Sequence, residues 1–546
     1  MFVRVKRSVG KGGEYEYLQI VRSIRDGQKV RQEIIGTLGR RDKLLASGEL
    51  DGLMQSLAKF SERLKVVEAA RSPDVTALSS KQWGPTLVFG RLWERQEIPG
   101  IIRRLAQDRR FEFDLERTAF AMALQRLCCP GSDLQGCRWI DTVEAPGFDT
   151  LSLQHFYRTA AFLAHVRHDL EQELFWKDRD LFNRELDLVF IDTTSLYVYG
   201  ENATELRKRG YSRDRRGDLL QYVLCVAVDK EGWPIAWEVL PGNTADPKAF
   251  GRMVGALRER FAIGNVCVVA DRGMISEDAI GLLTGDADAP YSYIFGCRMR
   301  RQKEVSEEVL SRAGRYVTVQ ENLEVKEVSL RDRRYVVCRN PIEAKKDQAA
   351  RESLLEKLEQ TLAKHGPKAV IGNRGYARFL KIAKGSVSIN REAVQRDARL
   401  DGKFVLTTNT SMPAAEVATT YKSLWRVERT FREQKSTLEV RPIYHQRDDT
   451  SIGHIVASFL ALRLEVDLHK RLDERGVMVS WPDLMRDLSQ VQSVLIELEG
   501  TRYQLRTQLI GSSHHAFAAA GVRPPALVTE LGPIPESPRL AQLSFL

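Results

Sequence analysis

Three acidic residues stand where the chain could do chemistry. Asp192 and Asp271 each end a short apolar run, LDLVFID and VCVVAD, and Glu428 follows on the amphipathic stretch YKSLWRVERTFREQKSTLE. Strand ends and a helix can gather carboxylates from distant parts of a chain, and carboxylates supply the hard oxygen ligands that Mg2+ takes. Two such ions about 3.5–4 Å apart hold the attacking and leaving oxygens of an in-line displacement at phosphorus. The chemistry expected of Asp192, Asp271 and Glu428 is therefore metal-assisted phosphoryl transfer, with two Mg2+ ions as cofactor and Mn2+ as a substitute. Each acid also has a plainer reading. An Asp at a strand end is often a turn former or helix cap, and Glu428 could form a salt bridge to Lys435 or Arg432.

Tyr421, Glu428 and Lys435 recur every seven residues, nearly two helical turns, so the spacing predicts one stripe with Leu424, Trp425 and Phe431 beside the acid. An acid in a mainly apolar stripe should be paired or bound to metal. Lys435, two turns on and roughly 10 Å along the axis, suits a phosphate lying beside the metals.

The elements that must position these residues can be read from periodicity. LDLVFIDTTSLYVY, LLQYVLCVAVD and PIAWEVLPG read as three successive strands, followed by a helix around AFGRMVGALRERF, the strand VCVVAD, a helix at about 276–284 and the strand YSYIFGCRM. Three antiparallel strands followed by alternating helix and strand is the order of an RNase H-like fold. The expected fold class is multidomain α/β, an RNase H-like mixed sheet flanked by helices. Its expected parts are a basic β segment at 1–45, a helical DNA-binding region at 46–185, the first part of the catalytic core at 186–299 and a β-rich insertion at 300–415. The Glu helix follows at 416–445 and a helical C-terminal region at 446–546, its proline-rich end expected to be loose. The insertion is too regularly patterned for a loop.

Composition narrows the partners. The chain has 546 residues, too many for one core, and 83 Lys and Arg against 73 Asp and Glu give a formal charge of +10. Residues 1–41 alone hold ten basic residues, among them Arg25, Lys29, Arg31 and Arg40, against four acids. The alternation of YEYLQIVRSI and KVRQEII around Asp26-Gly27 predicts a small antiparallel sheet whose wet face suits a DNA backbone or simply solvent. No apolar run approaches the ~20 residues that span a bilayer, and the charged opening MFVRVKR is unlike a secretory signal. A cytoplasmic, nucleoid-associated protein without a membrane partner is expected. Seven cysteines without metal-ligand spacing read as reduced, mostly buried thiols.

Seven motifs, in order, carry a resemblance: RDGQKVRQEIIGTLGR, IDTTSLY, GYSRDRRGDLLQ, PGNTADP, ADRGM, DGKFVLTTN and YKSLWRVERTFREQKSTLEVRPIYH. The chain resembles the DDE transposases of bacterial insertion sequences, in the branch with a Tyr–Arg–Glu–Lys signature helix. The resemblance implies that Asp192, Asp271 and Glu428 bind the metals and that Tyr421 and Lys435 are the flanking signature residues touching DNA. The signature Arg is replaced by Leu424; Arg426, two residues along and about 200° around the helix, is the nearest substitute. Relatives carry a β insertion before the Glu helix, and in some an insertion tryptophan stacks on a flipped base. No tryptophan occurs in this insertion, which leaves Tyr316, Tyr335, Tyr376 or Phe379 to stack or, on the plainer reading, to fill its core. The implied activity is recognition of double-stranded element ends by a homodimer in the DNA complex, with cleavage and joining to target DNA. The alternatives are an RNase H-like nuclease without strand transfer and a transposase-derived DNA-binding protein, which would be expected to have lost an acid.

Overall fold

The computed structural model describes residues 1–10, 13–26, 29–58, 75–182, 187–261, 263, 266–285, 290–371, 373–383, 386–498 and 500–533. The chain divides into two compact units, residues 1–84, 481–514 and 523–546 in one, and 85–480 and 515–522 in the other.

In the first unit, Phe2–Gly10, Gly13–Asp26 and Lys29–Arg40 pair antiparallel in that order. This is the small sheet expected from alternation, with one further strand at its start; residues 27 and 28 of its expected turn lie outside the described residues. A second sheet corrects the expectation of a helical tail. Gln492–Leu498 pairs with Thr501–Arg506 on one side and Val75–Gln82 on the other, and Val528–Pro533 completes it. Ile496, Leu498 and Tyr503 form its buried core. These segments are short and half polar, and the edge strand they pair with lies some four hundred residues earlier, so local periodicity carries little trace of the pairing. The same partner strand interrupts what was expected to be a helical region from residue 46. Of the proline-rich end, residues 534–546 lie outside the described residues.

The second unit is built on a mixed sheet. Its strands are β1 (Leu188–Val198), β2 (Leu220–Asp229), β3 (Pro234–Pro241), β4 (Cys267–Ala270), β5 (Ser292–Gly296), β6 (Val317–Gln320), β7 (Leu323–Leu330), β8 (Arg333–Arg339) and β9 (Lys403–Thr408). Their order across the sheet is β6-β7-β8-β9-β5-β4-β1-β2-β3. β1, β2 and β3 are antiparallel, while β4 and β5 run parallel to β1. This is the RNase H-like order anticipated from the sequence. The strands of residues 300–415 extend the sheet beyond β5, and the rest of that segment includes the long helix Pro341–His365 and a small core of Leu358, Val370 and Phe379.

Seven helices matter for the site and its surroundings: α1 (Leu115–Cys128), α2 (Asp133–Trp139), α3 (Leu153–His165), α4 (Asp246–Glu259), α5 (Ala414–Lys422), α6 (Trp425–Arg432) and α7 (Asp448–Asp473). Side chains alternate across a strand. On one face of the sheet, Val189, Ile191, Val268 and Ala270 pack with Phe250, Met253 and Leu257 of α4. The opposite face carries Phe190, which lines one cavity together with Thr419, Thr420, Ser423 and Arg426 of the α5–α6 region. α7 packs on α1 and α3. A glycine permits this approach, because a Cβ at Gly453 would lie 1.9 Å from the Ala160 carbonyl oxygen. No helix among the described residues is long and apolar enough to cross a membrane.

Candidate active site

Asp192 and Asp271 come together through strand register. β1 and β4 are parallel neighbours with Ile191 opposite Ala270, so the two aspartates occupy the next rung. Both alternate with residues on the α4 face, and so both project to the face that α5 and α6 cover. Tyr421, at the end of α5, reaches that rung and donates its hydroxyl to Asp271 Oδ1 at 2.9 Å. Gly296 on β5 makes the reach possible, since a Cβ there would meet the Tyr421 hydroxyl at 2.3 Å. Burial, followed by the charge of Asp271, raises the Tyr421 phenol above its ordinary value, which keeps it a donor.

Asp192 Oδ1 accepts the Thr193 amide at 2.7 Å. Burial pushes its carboxyl up to about 6, opposed by the Thr193 amide and Arg213 and reinforced by the charges of Asp271 and Asp246. Carboxylates drawn together in this way favour a cation between them. Their oxygens fit a hard divalent ion, so Asp192 and Asp271 could hold one, with Glu428 as the third acid.

The geometry of the third acid departs from the simple stripe. The signature segment is not one regular helix: Leu424 N–H bonds to Tyr421 O in a tight turn between α5 and α6, and a π-helical turn, Glu433–Thr437, comes after α6. A tight turn and a wide turn each rotate the next stretch of helix out of phase, so a heptad drawn on an ideal helix does not hold. Leu424, Val427, Phe431 and Leu438 are buried, whereas Glu428 is exposed. The expectation of an acid set within an apolar stripe is corrected accordingly. α6 packs across β1 and β2, which puts Glu428 on the helix covering the aspartate face. Among the described residues the Glu428 carboxylate has no hydrogen bond or ion pair, and Lys435 pairs with Asp214 instead, so the bridge to Lys435 or Arg432 does not form.

Lys435 is carried by the π turn to Asp214, with Nζ at 2.9 Å from Oδ1, and Arg441 joins the same carboxylate at 3.0 Å. Arg426 lies against the β2–β3 turn, where a Cβ on Gly232 would be 3.7 Å from its own, and its guanidinium stands 5.5 Å over the Trp425 ring. Of the N-terminal cations, Arg31 is exposed, and Arg40 pairs with Asp42 and lies 4.0 Å over Tyr15. The side chains of Arg25 and Lys29 fall outside the described residues.

Several residues beside the aspartates escaped the sequence reading. Asp246, the first residue of α4, accepts from Thr193 Oγ1 at 2.8 Å and from Arg213 at 3.0 Å. Its motif, PGNTADP, was visible, but an acid at a helix start before proline reads as an ordinary cap. A groove of about 640 Å³ opens beside Asp271, lined by Arg272, Arg298, Arg300, Arg301, Lys403 and the exposed Tyr211, among others. In the insertion, Tyr335 and Phe379 are buried in small cores and Tyr316 and Tyr376 pack against them, which favours the core reading of all four.

Two family models match the chain. The family model for the transposase DDE domain matches residues 183–464, and that for the IS1634 family transposase N-terminal domain matches residues 3–72. A solved piggyBac transposase synaptic complex with hairpin DNA aligns with a TM-score of 0.39 at 10% identity, over 74% of this chain and 79% of that one. No curated protein matches the sequence.

Proposed function

The chain belongs to the DDE transposases of insertion sequences, whose catalytic-domain model covers just over half of it, and we propose that Asp192, Asp271 and Glu428 are its catalytic acids. The observation that carries this reading is the position of Asp192 and Asp271 directly after the paired Ile191 and Ala270 of parallel neighbouring strands, on the face covered by the helix that bears Glu428. These three residues would hold Mg2+, in two ions, and the metal would supply charge stabilisation for attack at a phosphodiester and for the leaving oxygen. The protein's own groups do the rest. Tyr421 fixes one oxygen of Asp271, Arg213 and Thr193 fix Asp246 beside Asp192, and Glu428 is left unpaired to join the site. Arg272, Arg301 and Lys403 line the groove of about 640 Å³ beside Asp271, and their charge suits a phosphate backbone.

The substrate is the double-stranded end of the protein's own element, bound by a homodimer, cut and then joined through its 3′-hydroxyl to target DNA. Retention of all three acids and of the basic N-terminal segment disfavours both a transposase-derived DNA-binding protein and a plain RNase H-like nuclease. Labelled end DNA with Mg2+ tests the assignment. Asp192→Ala, Asp271→Ala and Glu428→Ala should each abolish nicking and joining while largely sparing DNA affinity, because the acids serve the reaction and the cations serve binding. Near wild-type nicking by any two of these variants would refute the site.

A further inference from the structure

A second group of ligating side chains gathers away from the catalytic face, where α2, the segment after the π turn and α7 meet. Asp133 begins α2, His445 lies in that segment, and His454 lies near the start of α7; all three are buried. One ligand-capable atom from each falls within 4.8 Å of the others. His445 Nε2 stands 3.5 Å from Asp133 Oδ2, and that buried oxygen accepts no hydrogen bond. Asp133 Oδ1 faces Arg126 at 3.9 Å. His454 Nε2 donates to the Val440 carbonyl at 3.0 Å.

We propose that Asp133, His445 and His454 form a binding site for a divalent transition cation of the zinc type, separate from the catalytic carboxylates. Two imidazoles and one carboxylate are a donor set that zinc takes, whereas Mg2+ prefers oxygen alone. Bonds of about 2.0–2.1 Å in tetrahedral array put ligand atoms about 3.3 Å apart, close to the separation of His445 from Asp133. The hydrogen bond from His454 Nε2 fixes the tautomer whose lone pair is on Nδ1, and a backbone carbonyl in that role is the usual support of a metal-bound histidine. A buried carboxylate oxygen without a partner is costly, and the cation supplies the missing partner. Arg126 does not fill that role, because the oxygen it faces, at 3.9 Å, is the other one. The site borders a cavity of about 520 Å³ lined by Tyr157, Arg158 and Tyr444 among others, which leaves room for water as the fourth ligand. Three protein ligands from three segments make the ion a clip between the helical region and the end of the signature segment.

The test uses the full-length protein. Chelator-stripped protein titrated with Zn2+ should take up one tight equivalent and gain several degrees in melting temperature, with no comparable gain from Mg2+. Co2+ in place of Zn2+ should give the visible absorption of a tetrahedral ion. Asp133→Asn and His445→Gln should lose the equivalent, while the double variant Asp192→Asn/Asp271→Asn should keep it. Folded wild-type protein that binds no Zn2+ at micromolar concentration overturns the proposal and leaves Asp133 and His445 a simple polar pair. Loss of the equivalent in the double variant overturns it equally, by assigning the ion to the catalytic face. Should the His445 variant fail to fold, the wild-type titration and the double variant still decide.

Discussion

At the scale of single residues, the site depends on groups that hold the aspartates as much as on the aspartates themselves. Tyr421 touches Asp271 through one hydrogen bond made possible by Gly296. Loss of a hydrogen bond that orients a metal-binding group typically costs ten- to hundred-fold in metal affinity or activity. Tyr421→Phe keeps the ring and removes the bond, so strand cleavage should fall by roughly that factor with little change in DNA affinity; undiminished cleavage would reduce the tyrosine to a packing residue. Asp192 gives a pH signature. Its folded carboxyl titrates at about 6, above the ~3.9 of an unfolded chain, so between these values the folded state binds more protons and stability falls as pH rises. Metal-free protein should therefore lose melting temperature from about pH 4 to about pH 6, and Asp192→Asn should flatten that part of the profile. Equal profiles for wild type and variant would show that Asp192 is not the group under strain.

At the scale of elements, the first five strands of the sheet are legible because each is a local run of apolar and β-branched residues, and the same runs place Asp192 and Asp271 after paired residues of neighbouring strands. The illegible parts depend on partners far away in sequence or on irregular turns. Asp246 escapes because its partners, Thr193 and Arg213, lie more than thirty residues earlier in the chain. The π turn after α6 has no marker in the sequence, and without it the heptad places Lys435 beside Glu428 rather than on Asp214. The tail strands escape local periodicity because the strand that closes one edge of their sheet, Val75–Gln82, comes from far earlier in the chain. Lys435 can now be assigned a measurable duty in the free protein. Its ammonium and Arg441 share the mostly buried Asp214, tying the polar segment before β2 to the π turn. Breaking a buried pair costs about 3–5 kcal/mol when a charge is left alone; with Arg441 still in place, Lys435→Ala should cost about 1–3 kcal/mol. Lys435→Arg should recover part of it. A lysine reserved for phosphate would give the opposite pattern, an unchanged melting temperature with weakened binding of end DNA.

At the scale of the whole molecule, the charge of +10 includes exposed cations in each of the two units, and their contributions to DNA binding can be separated. In the N-terminal sheet much of the apparent excess is already committed: Arg7 and Arg41 pair with Glu16, Arg22 with Glu33, and Arg40 with Asp42. Lys6 and Arg31 are exposed, with no acidic partner among the described residues. Beside Asp271, Arg272 and Arg301 are likewise exposed and unpaired among the described residues. Each phosphate neutralised on duplex DNA adds about 0.9 to the slope of log affinity against log salt, so removal of a cation that meets phosphate lowers the slope by about that amount, and removal of one already paired within the protein does not. Lys6→Ala/Arg31→Ala and Arg272→Ala/Arg301→Ala should therefore each flatten the slope, whereas Arg22→Ala should leave it nearly unchanged. Cleavage adds a second discriminant. With saturating DNA, the groove variant should still cut slowly, because its cations lie beside the reacting phosphate, and the N-terminal variant should cut at the wild-type rate, because its cations serve affinity alone. An unchanged slope for the N-terminal pair would move recognition of the element ends away from that sheet and into the unit that carries the proposed catalytic acids.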